Sequence, residues 1–330
     1  MSIRDIGERE FLKRIRELVD EIADARLGFD EDASDIPISE HKNIVVNVDT
    51  FVRETDWLPG MTEAQAGRKT AIMALSDIVA KGATPLATLL SLCVPKELDA
   101  LAAQELVRGF SQYCVKAGVP FIGGDVGSSN DVVLTGVAIG IAPPEGIVTR
   151  GGVKDGDIIA VTGDFGLTSV AFEVLLRGKK ADDDLRSMAI GAAYRPDIHF
   201  GLVSKLAEKG VVSASMDSSD GLGITLNTMA AQSGVSLFIE VLPTAEGVSK
   251  FAEDISIPEW KMVMEGGEEF ILVLAIPEAH WDEACKITKN IHVPLKRIGY
   301  ASTGEGVYYE TSEGPLKISA AGYDNFREWE

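Results

Sequence analysis

Cysteine, histidine and cationic side chains are scarce in this chain of 330 residues, and each scarcity closes off a class of function. Cys93, Cys114 and Cys285 are odd in number and far apart, so they form neither a CxxC pair nor a disulfide framework, and a reducing compartment is the simplest reading. His41, His199, His280 and His292 show no metal-ligand spacing, and there is no Gly-x-Ser-x-Gly elbow, which sets aside zinc hydrolysis and Ser-His-Asp acyl transfer. Lys and Arg number 31 against 51 Asp and Glu, and the formal charge of −20 repels a nucleic-acid backbone and an anionic membrane surface. Long apolar runs are missing too. The most apolar stretch, 132–143, is too short to span a bilayer, and the first eighteen residues carry charge where a signal peptide has its apolar segment. A cytoplasmic protein without nucleic-acid or membrane partners is expected. Gly178-Lys179 is followed by Lys180 rather than Ser or Thr, and no Gly-x-Gly-x-x-Gly follows a strand, so neither a Walker nor a Rossmann nucleotide site is supported.

What the chain does have is enough apolar content, 45 %, to bury a core in each of about two domains. Phe11, Leu12, Ile15, Leu18, Val19 and Ile22 recur at helical spacing and predict an amphipathic helix over 8–25. From 44 to 52 the period becomes two, with Ile44, Val46 and Val48 on one face and Val45, Asn47, Asp49 and Phe51 on the other. Thr62-Glu63-Ala64-Gln65 is a capping-box pattern, opening a helix that runs to Gly82 with Asp77 on its polar side. A strand over 86–94, a helix over 97–116, a short strand entering a tight turn at Gly123-Gly124-Asp125 and a strand over 132–141 follow. Pro143-Pro144-Glu145-Gly146 is the strongest break, giving domains at 1–143 and 144–330. Beyond it, strand patterns at 158–162, 211–216 and 237–241 alternate with helical ones at 167–177, 198–209 and from near Ser219, while 181–184 reads as a short acidic loop. The fold class is α/β.

Carboxylates stand at the special places of this pattern: Glu31-Asp32 in a loop, Asp49 on a strand, Asp77 on a helix, Asp125 after paired glycines, Asp217 and Asp220 where a strand passes into a helix. Each also has a plain structural reading. Asp77 can pair with Lys81 at i+4, Ser219 or Asp220 can be an N-cap, and Gly123-Gly124-Asp125 can be a turn with an Asx bond. If several converge, two carboxylates ~4 Å apart repel by about 4 kcal/mol at an effective dielectric of ~20, which bound cations relieve. Oxygen-only ligands favour Mg²⁺, which completes its shell with water and substrate phosphates, so a nucleotide site is expected.

Glu31-Asp32-Ala33-Ser34, Val48-Asp49-Thr50-Phe51-Val52, Gly67-x-Lys69 with Leu75-Ser76-Asp77-Ile78 and Gly82-Ala83-x-Pro85, Gly123-Gly124-Asp125, Val161-Thr162-Gly163, Asp217-x-Ser219-Asp220-Gly221-Leu222, Gly266-Gly267-Glu268-Glu269 and Gly322-Tyr323-Asp324-x-Phe326 resemble, in order and spacing, the thiamine-monophosphate kinase family. That family shares its fold with aminoimidazole-ribonucleotide synthetase. The resemblance implies a two-domain fold whose N-terminal sheet forms a barrel across a homodimer, several Mg²⁺ ions, and ATP as co-substrate for phosphorylation of thiamine monophosphate. Carried over position by position, it implies Asp32, Asp49, Asp77, Asp125, Asp217 and Asp220 as metal ligands. It implies Arg108, Gly124, Asp125, Arg150 and Ser219 as nucleotide contacts, Asp56, Glu268 and Tyr323 as thiamine contacts, and Asp49, Asp125 and Arg150 as the catalytic set. The chain departs from the usual pattern at Asp30-Glu31-Asp32, where Gly-Asp-Asp is commoner, at Asp56, where histidine is, and at Glu269-Phe270, where Asp-Tyr is. Two other readings stand beside this one: another ATP-using member of the fold family, or a non-catalytic metal- or nucleotide-binding homologue.

Overall fold

A computed structural model describes residues 2–320. In chain order the first half contains α1 (Ile3–Ile6), α2 (Glu8–Ile15), β1 (Ser34–Ser39), β2 (Lys42–Val52), α3 (Arg53–Asp56), α4 (Glu63–Ala80), β3 (Thr84–Val94), α5 (Ala100–Ala117), β4 (Phe121–Ser128) and β5 (Val133–Ala142). The second contains β6 (Asp157–Val161), α6 (Leu167–Leu175), α7 (Asp183–Tyr194), α8 (Leu202–Glu208), β7 (Ala214–Ser218), α9 (Leu222–Ser233), β8 (Val235–Ile239), α10 (Val248–Asp254), α11 (Glu259–Met264), β9 (Ile271–Pro277), α12 (Trp281–Asn290), β10 (Lys296–Thr303), β11 (Gly306–Thr311) and β12 (Gly314–Ile318).

Two mixed sheets result, ordered β1-β2-β5-β3-β4 and β12-β11-β8-β10-β6-β9-β7. The first is open at both ends. Helix α4 starts where the capping box predicts: Gln65 N–H donates to Thr62 Oγ1 at 3.3 Å, and Thr62 N–H donates to Gln65 Oε1 at 2.8 Å. It is buried almost all round, because it lies on the first sheet and against α5 and β7 at once. Its crossing with α5 needs glycine on both helices. A Cβ at Gly67 would collide with the Leu106 carbonyl, and one at Gly109 with the Ala64 carbonyl. The alternation in β2 survives intact: Asn43, Val45, Asn47 and Phe51 are buried under α4, while Val48 on the other face is 60 % exposed.

Four local expectations change. The helix over 8–25 stops at Ile15 and continues only as a 3₁₀ turn, Arg16–Leu18. Leu18, Val19 and Ile22, the apolar stripe meant to hold it, are exposed, and an amphipathic helix with no surface to pack on has little to extend it. Gly123-Gly124-Asp125 makes no turn but continues β4, where a Cβ at Gly124 would strike the Leu90 carbonyl, so glycine serves close approach of β3 and β4. The acidic stretch at 181–184 is a helix start: Asp182 Oδ1 accepts from Leu185 N–H at 2.9 Å and caps α7. The helix placed near Ser219 opens at Leu222, with Gly221 as its N-cap at φ 110°, leaving Ser219 and Asp220 in an extended bend after β7.

Candidate active site

Asp77, on the buried side of α4, and Asp217, inside β7, face each other where the two halves meet, and Asp32 comes in from the loop before β1. Their nearest carboxylate oxygens all lie within 4.8 Å of one another. Asn47 Nδ2 donates to Asp77 Oδ2 at 2.6 Å, and Ser76 Oγ donates to Asp217 Oδ2 at 2.7 Å. Burial, then the charges of Asp217 and Asp32, hold the Asp77 carboxyl well above the ordinary carboxylate range. Burial, then Asp32, raises Asp217 as well. Asp49 and Asp220 flank the group, Asp220 with its side chain open to the chambers, and desolvation together with the neighbouring carboxylates pushes each to about 7. A cluster that carries so many anions out of water is destabilised until opposite charge arrives.

Two buried lysines of α4 and its C-cap supply part of that charge. Lys81, with none of its side chain exposed, reaches Glu31 Oε2 at 2.5 Å and Asp32 Oδ2 at 3.3 Å. Burial works against its ammonium, yet Asp32 and Glu31 outweigh it and leave its pKa above the ordinary lysine value. The plain structural reading, Asp77 paired with Lys81, does not hold: Lys81 ion-pairs with Glu31 and Asp32 instead, and although its charge still favours the ionised Asp77 carboxyl, the hydrogen bond between the two residues is from the Lys81 backbone N–H to the Asp77 carbonyl. Lys69, equally buried, is ion-paired with Glu268, and its Nζ donates to the Asp56 carbonyl at 3.3 Å. Arg150 closes the group, with Nη1 on Asp32 Oδ1 at 2.6 Å, Nη2 on the Asp30 carbonyl, and a buried Nε without a hydrogen-bond partner. Sequence reasoning gave neither lysine a role in the site; the available signal was a lysine on the apolar stretch of an otherwise buried helix.

Two chambers open on either side of the cluster. A cavity of about 170 Å³ is walled by Asp49, Asp56, Leu58 and Met73 from the first half and by Phe172, Leu176, Ser219, Asp220, Glu265, Glu268 and Phe270 from the second. A cleft of about 720 Å³ is walled by Glu8, Leu12, Lys13 and Arg16 of the N-terminal segment, by Phe29, Glu31, Asp32 and Arg150, and by Ser219, Asp220, Ile224, Asn227 and Gln232. Ser219 and Asp220 belong to both, so molecules in the two chambers approach each other across that bend.

The implied site residues therefore divide. Asp32, Asp49, Asp56, Asp77, Arg150, Asp217, Ser219, Asp220 and Glu268 gather at the chambers or the cluster between them. Gly124 and Asp125 lie exposed on the edge strand β4, and Arg108 is exposed on α5 in an ion pair with Glu105 at 3.0 Å; none of the three lines a chamber. Tyr323 is outside the described residues.

This pair of mixed sheets with a carboxylate cluster between them defines the class: the chain belongs to the AIR synthase related family, whose N-terminal domain model matches residues 30–142 and whose C-terminal domain model matches residues 154–310. Thiamine-monophosphate kinase of Nitrosopumilus maritimus is 32 % identical over 305 residues, 92 % of this chain and 95 % of that one. Within the family, then, the chain falls among the thiamine-monophosphate kinases. Among solved structures it is similar to tt0281 from Thermus thermophilus (30 % identity, TM-score 0.84, 96 % of this chain and 99 % of that one). It shares its fold with AaThiL complexed with AMPPCP and TMP (23 % identity, TM-score 0.83, 98 % and 99 %). Among the described residues no helix is long and apolar enough to cross a membrane.

Proposed function

We propose that this chain transfers the γ-phosphoryl group of ATP directly to the phosphate of thiamine monophosphate, giving thiamine diphosphate and ADP. The observation that carries the reading is the pair of chambers sharing Ser219 and Asp220 beside the carboxylate cluster, one large and partly cationic, the other small, apolar and acid-rimmed. The large one suits a nucleotide: Lys13, Arg16 and Arg150 offer positive charge to phosphates, and Leu12, Phe29 and Ile224 offer apolar surface to a base. The small one suits the acceptor, whose ring cation is favoured by the acids and whose apolar body is favoured by Leu58, Met73, Phe172 and Phe270.

The reaction makes modest demands on acid–base groups. A phosphate monoester has a second pKa of ~6, so at neutral pH the acceptor is already mostly a dianion and needs no proton removed. What it needs is two polyanions held in line. Asp32, Asp77 and Asp217 form an all-oxygen donor set, and burial raises the proton affinity of the last two, so the three are suited to hold Mg²⁺, with Asp49 and Asp220 at hand for further ions. Such ions, when bound, neutralise the triphosphate's charge. Arg150 is anchored by Asp32, by the Asp30 carbonyl and by Glu31 at 4.0 Å from its Nε, which fixes its orientation at the chamber wall so that its charge meets a phosphate without searching rotamers. Lys69 keeps Glu268 oriented at the acceptor wall, and Asp56 is set in place by the Val52 N–H at 2.6 Å.

The reading extends to assembly. The face of the first sheet turned away from α4 carries Ile36, Ile38 and Val48 in the open, with Ile44, Val46, Val137, Ile139 and Ile141 half-buried beside them. A two-fold partner covering this face, with the N-terminal sheets of the two copies forming a barrel, removes it and the sheet edges from water. The halves divide at 143/144, the first supplying this dimer face. Purified protein given ATP, Mg²⁺ and thiamine monophosphate is expected to yield thiamine diphosphate and ADP in equal amounts. ADP released without thiamine diphosphate would overturn the reading.

A further inference from the structure

Five acids line the acceptor chamber, and four of them border the carboxylate cluster or bond within the protein. Asp49 accepts the Thr50 N–H at 2.8 Å and, with Asp220, borders the carboxylate cluster; Asp56 is held by the Val52 N–H; Glu268 is ion-paired with Lys69. Glu265 is different. It follows the last residue of α11, its backbone N–H bonded to the Lys261 carbonyl, which fixes where its Cα sits. Its half-buried side chain makes no hydrogen bond or ion pair among the described residues, although it lines the cavity together with Leu58, Phe172, Leu176 and Phe270. Burial raises its proton affinity, and Lys261 only partly offsets that without forming an ion pair. A carboxylate kept partly out of water with no partner is a cost to the fold that a bound cation removes.

We infer that Glu265 is the specificity residue of the acceptor chamber, the carboxylate that pairs with the positively charged aromatic ring of the acceptor. The inference rests on the reading of this chamber as the thiamine monophosphate site and goes beyond it by assigning the ring's charge to a residue outside the resembling motifs. The resemblance points to Asp56 and Glu268, each of which has one carboxylate oxygen engaged within the protein, Asp56 Oδ2 by the Val52 N–H and Glu268 Oε1 by the Lys69 ammonium, so neither offers the chamber a carboxylate with both oxygens unengaged. Glu265 does, and its apolar surroundings weaken competition from water for the pair.

The test compares wild type, Glu265→Gln and Glu265→Asp on two acceptors, thiamine monophosphate and the phosphate ester in which a neutral thiophene replaces the thiazolium. Glu265→Gln should raise the KM for thiamine monophosphate roughly five- to fifty-fold, leave the KM for ATP within about two-fold, and leave the neutral-ring acceptor nearly unaffected. Glu265→Asp should recover part of the loss on the charged acceptor alone. A melting temperature at or above wild type for Glu265→Gln separates binding from damage to the fold. Equal losses on both acceptors, or no loss on either, would overturn the role of Glu265 while leaving the kinase reading in place. Wild type inert toward thiamine monophosphate would overturn the kinase reading, and the assignment of Glu265 with it.

Discussion

Lys81 Nζ sits 2.5 Å from Glu31 Oε2, with none of the lysine side chain and only 8 % of the glutamate side chain exposed. The same glutamate accepts the Arg150 backbone N–H at 3.1 Å, so it joins the end of α4 to the start of the second half. Glu31 is also where the chain carries a longer acid than the pattern it resembles. The extra methylene lets one carboxylate span from α4 to Arg150, and Lys81 then has Asp32 as its second partner.

Removing that ammonium should be costly. Lys81→Met leaves Glu31 and Asp32 facing the cluster with Arg150 as their remaining cationic partner, and breaking a buried pair by deleting one member typically costs about 3–5 kcal/mol. Urea unfolding in EDTA should show a loss of that order, smaller when Mg²⁺ is added. The double variant Lys81→Met with Glu31→Met should be more stable than Lys81→Met alone. Strictly additive losses would show that the two side chains do not act on each other.

Asp217→Asn removes one anion from the cluster while keeping an oxygen for Ser76 to donate to. In metal-free protein the melting temperature should hold or rise, because the repulsion that raises Asp77 and Asp217 is relieved. Phosphoryl transfer at saturating Mg²⁺ should fall at least ~100-fold, the scale of losing one stabilising contact to transition-state charge. Wild-type turnover in this variant would remove Asp217 from the metal set.

Glu269 gives stability a pH dependence. Oε1 accepts the Gly166 N–H at 2.7 Å, Oε2 is buried without a hydrogen-bond partner, and burial pushes the carboxyl up to about 8 from an ordinary 4.5. The unfolded chain gives up this proton near 4.5 and the folded chain holds it until about 8, so the contribution is complete below 4.5 and lost as pH rises through 8. Glu269→Gln carries no such proton. Between pH 5 and 8 its stability relative to wild type should rise by on the order of a few kcal/mol, read from urea midpoints at several pH values. Parallel curves for the two proteins would mean that Glu269 ionises as freely in the fold as out of it.

Val48→Lys tests the uncovered sheet face. Val48 lies opposite Val137 in the β2–β5 ladder and is 60 % exposed, so a single chain tolerates lysine there, whereas a two-fold interface does not. Sedimentation at micromolar concentration should show a dimer for wild type and a monomer for the variant, with melting of the monomer little changed. A wild-type monomer that is fully active would refute the assembly.

β2 was legible in the sequence because its period of two records the buried face directly, and the start of α4 because its capping box is local; the side of α4 expected to be polar is buried too, since α5 and β7 cover it from beyond any local pattern. The N-terminal helix was not legible, since the periodicity of Leu18, Val19 and Ile22 says only that they share a face and not that anything covers it. The resemblance named Asp32, Asp49, Asp77, Asp125, Asp217 and Asp220 as one set, and the fold brings five of them to one neighbourhood while leaving Asp125 exposed on β4. Motif spacing gave no sign that Lys69 and Lys81 would be buried beneath them, because a lysine on a helix reads as a solvated charge until the opposite wall is known. Gly124 looked like turn chemistry, and the Leu90 carbonyl across the ladder, which no local pattern contains, is what requires it.

Ser76 on Asp217, Lys69 on Glu268 and Asp32 on Arg150 all join residues before the proline break to residues after it, and all lie under the site. The halves are consequently not portable parts. A chimera cut at 143/144 that took its second half from a relative lacking these partners would leave Lys69 in a dry interior with the Asp56 carbonyl but no counter-charge, and Asp32 and Glu31 with Lys81 but without the arginine they lean on. Recombination between members of this family should therefore succeed only where the crossing residues travel as a set, and inheritance at Lys69, Ser76 and Asp32 should follow their partners rather than their neighbours in the chain.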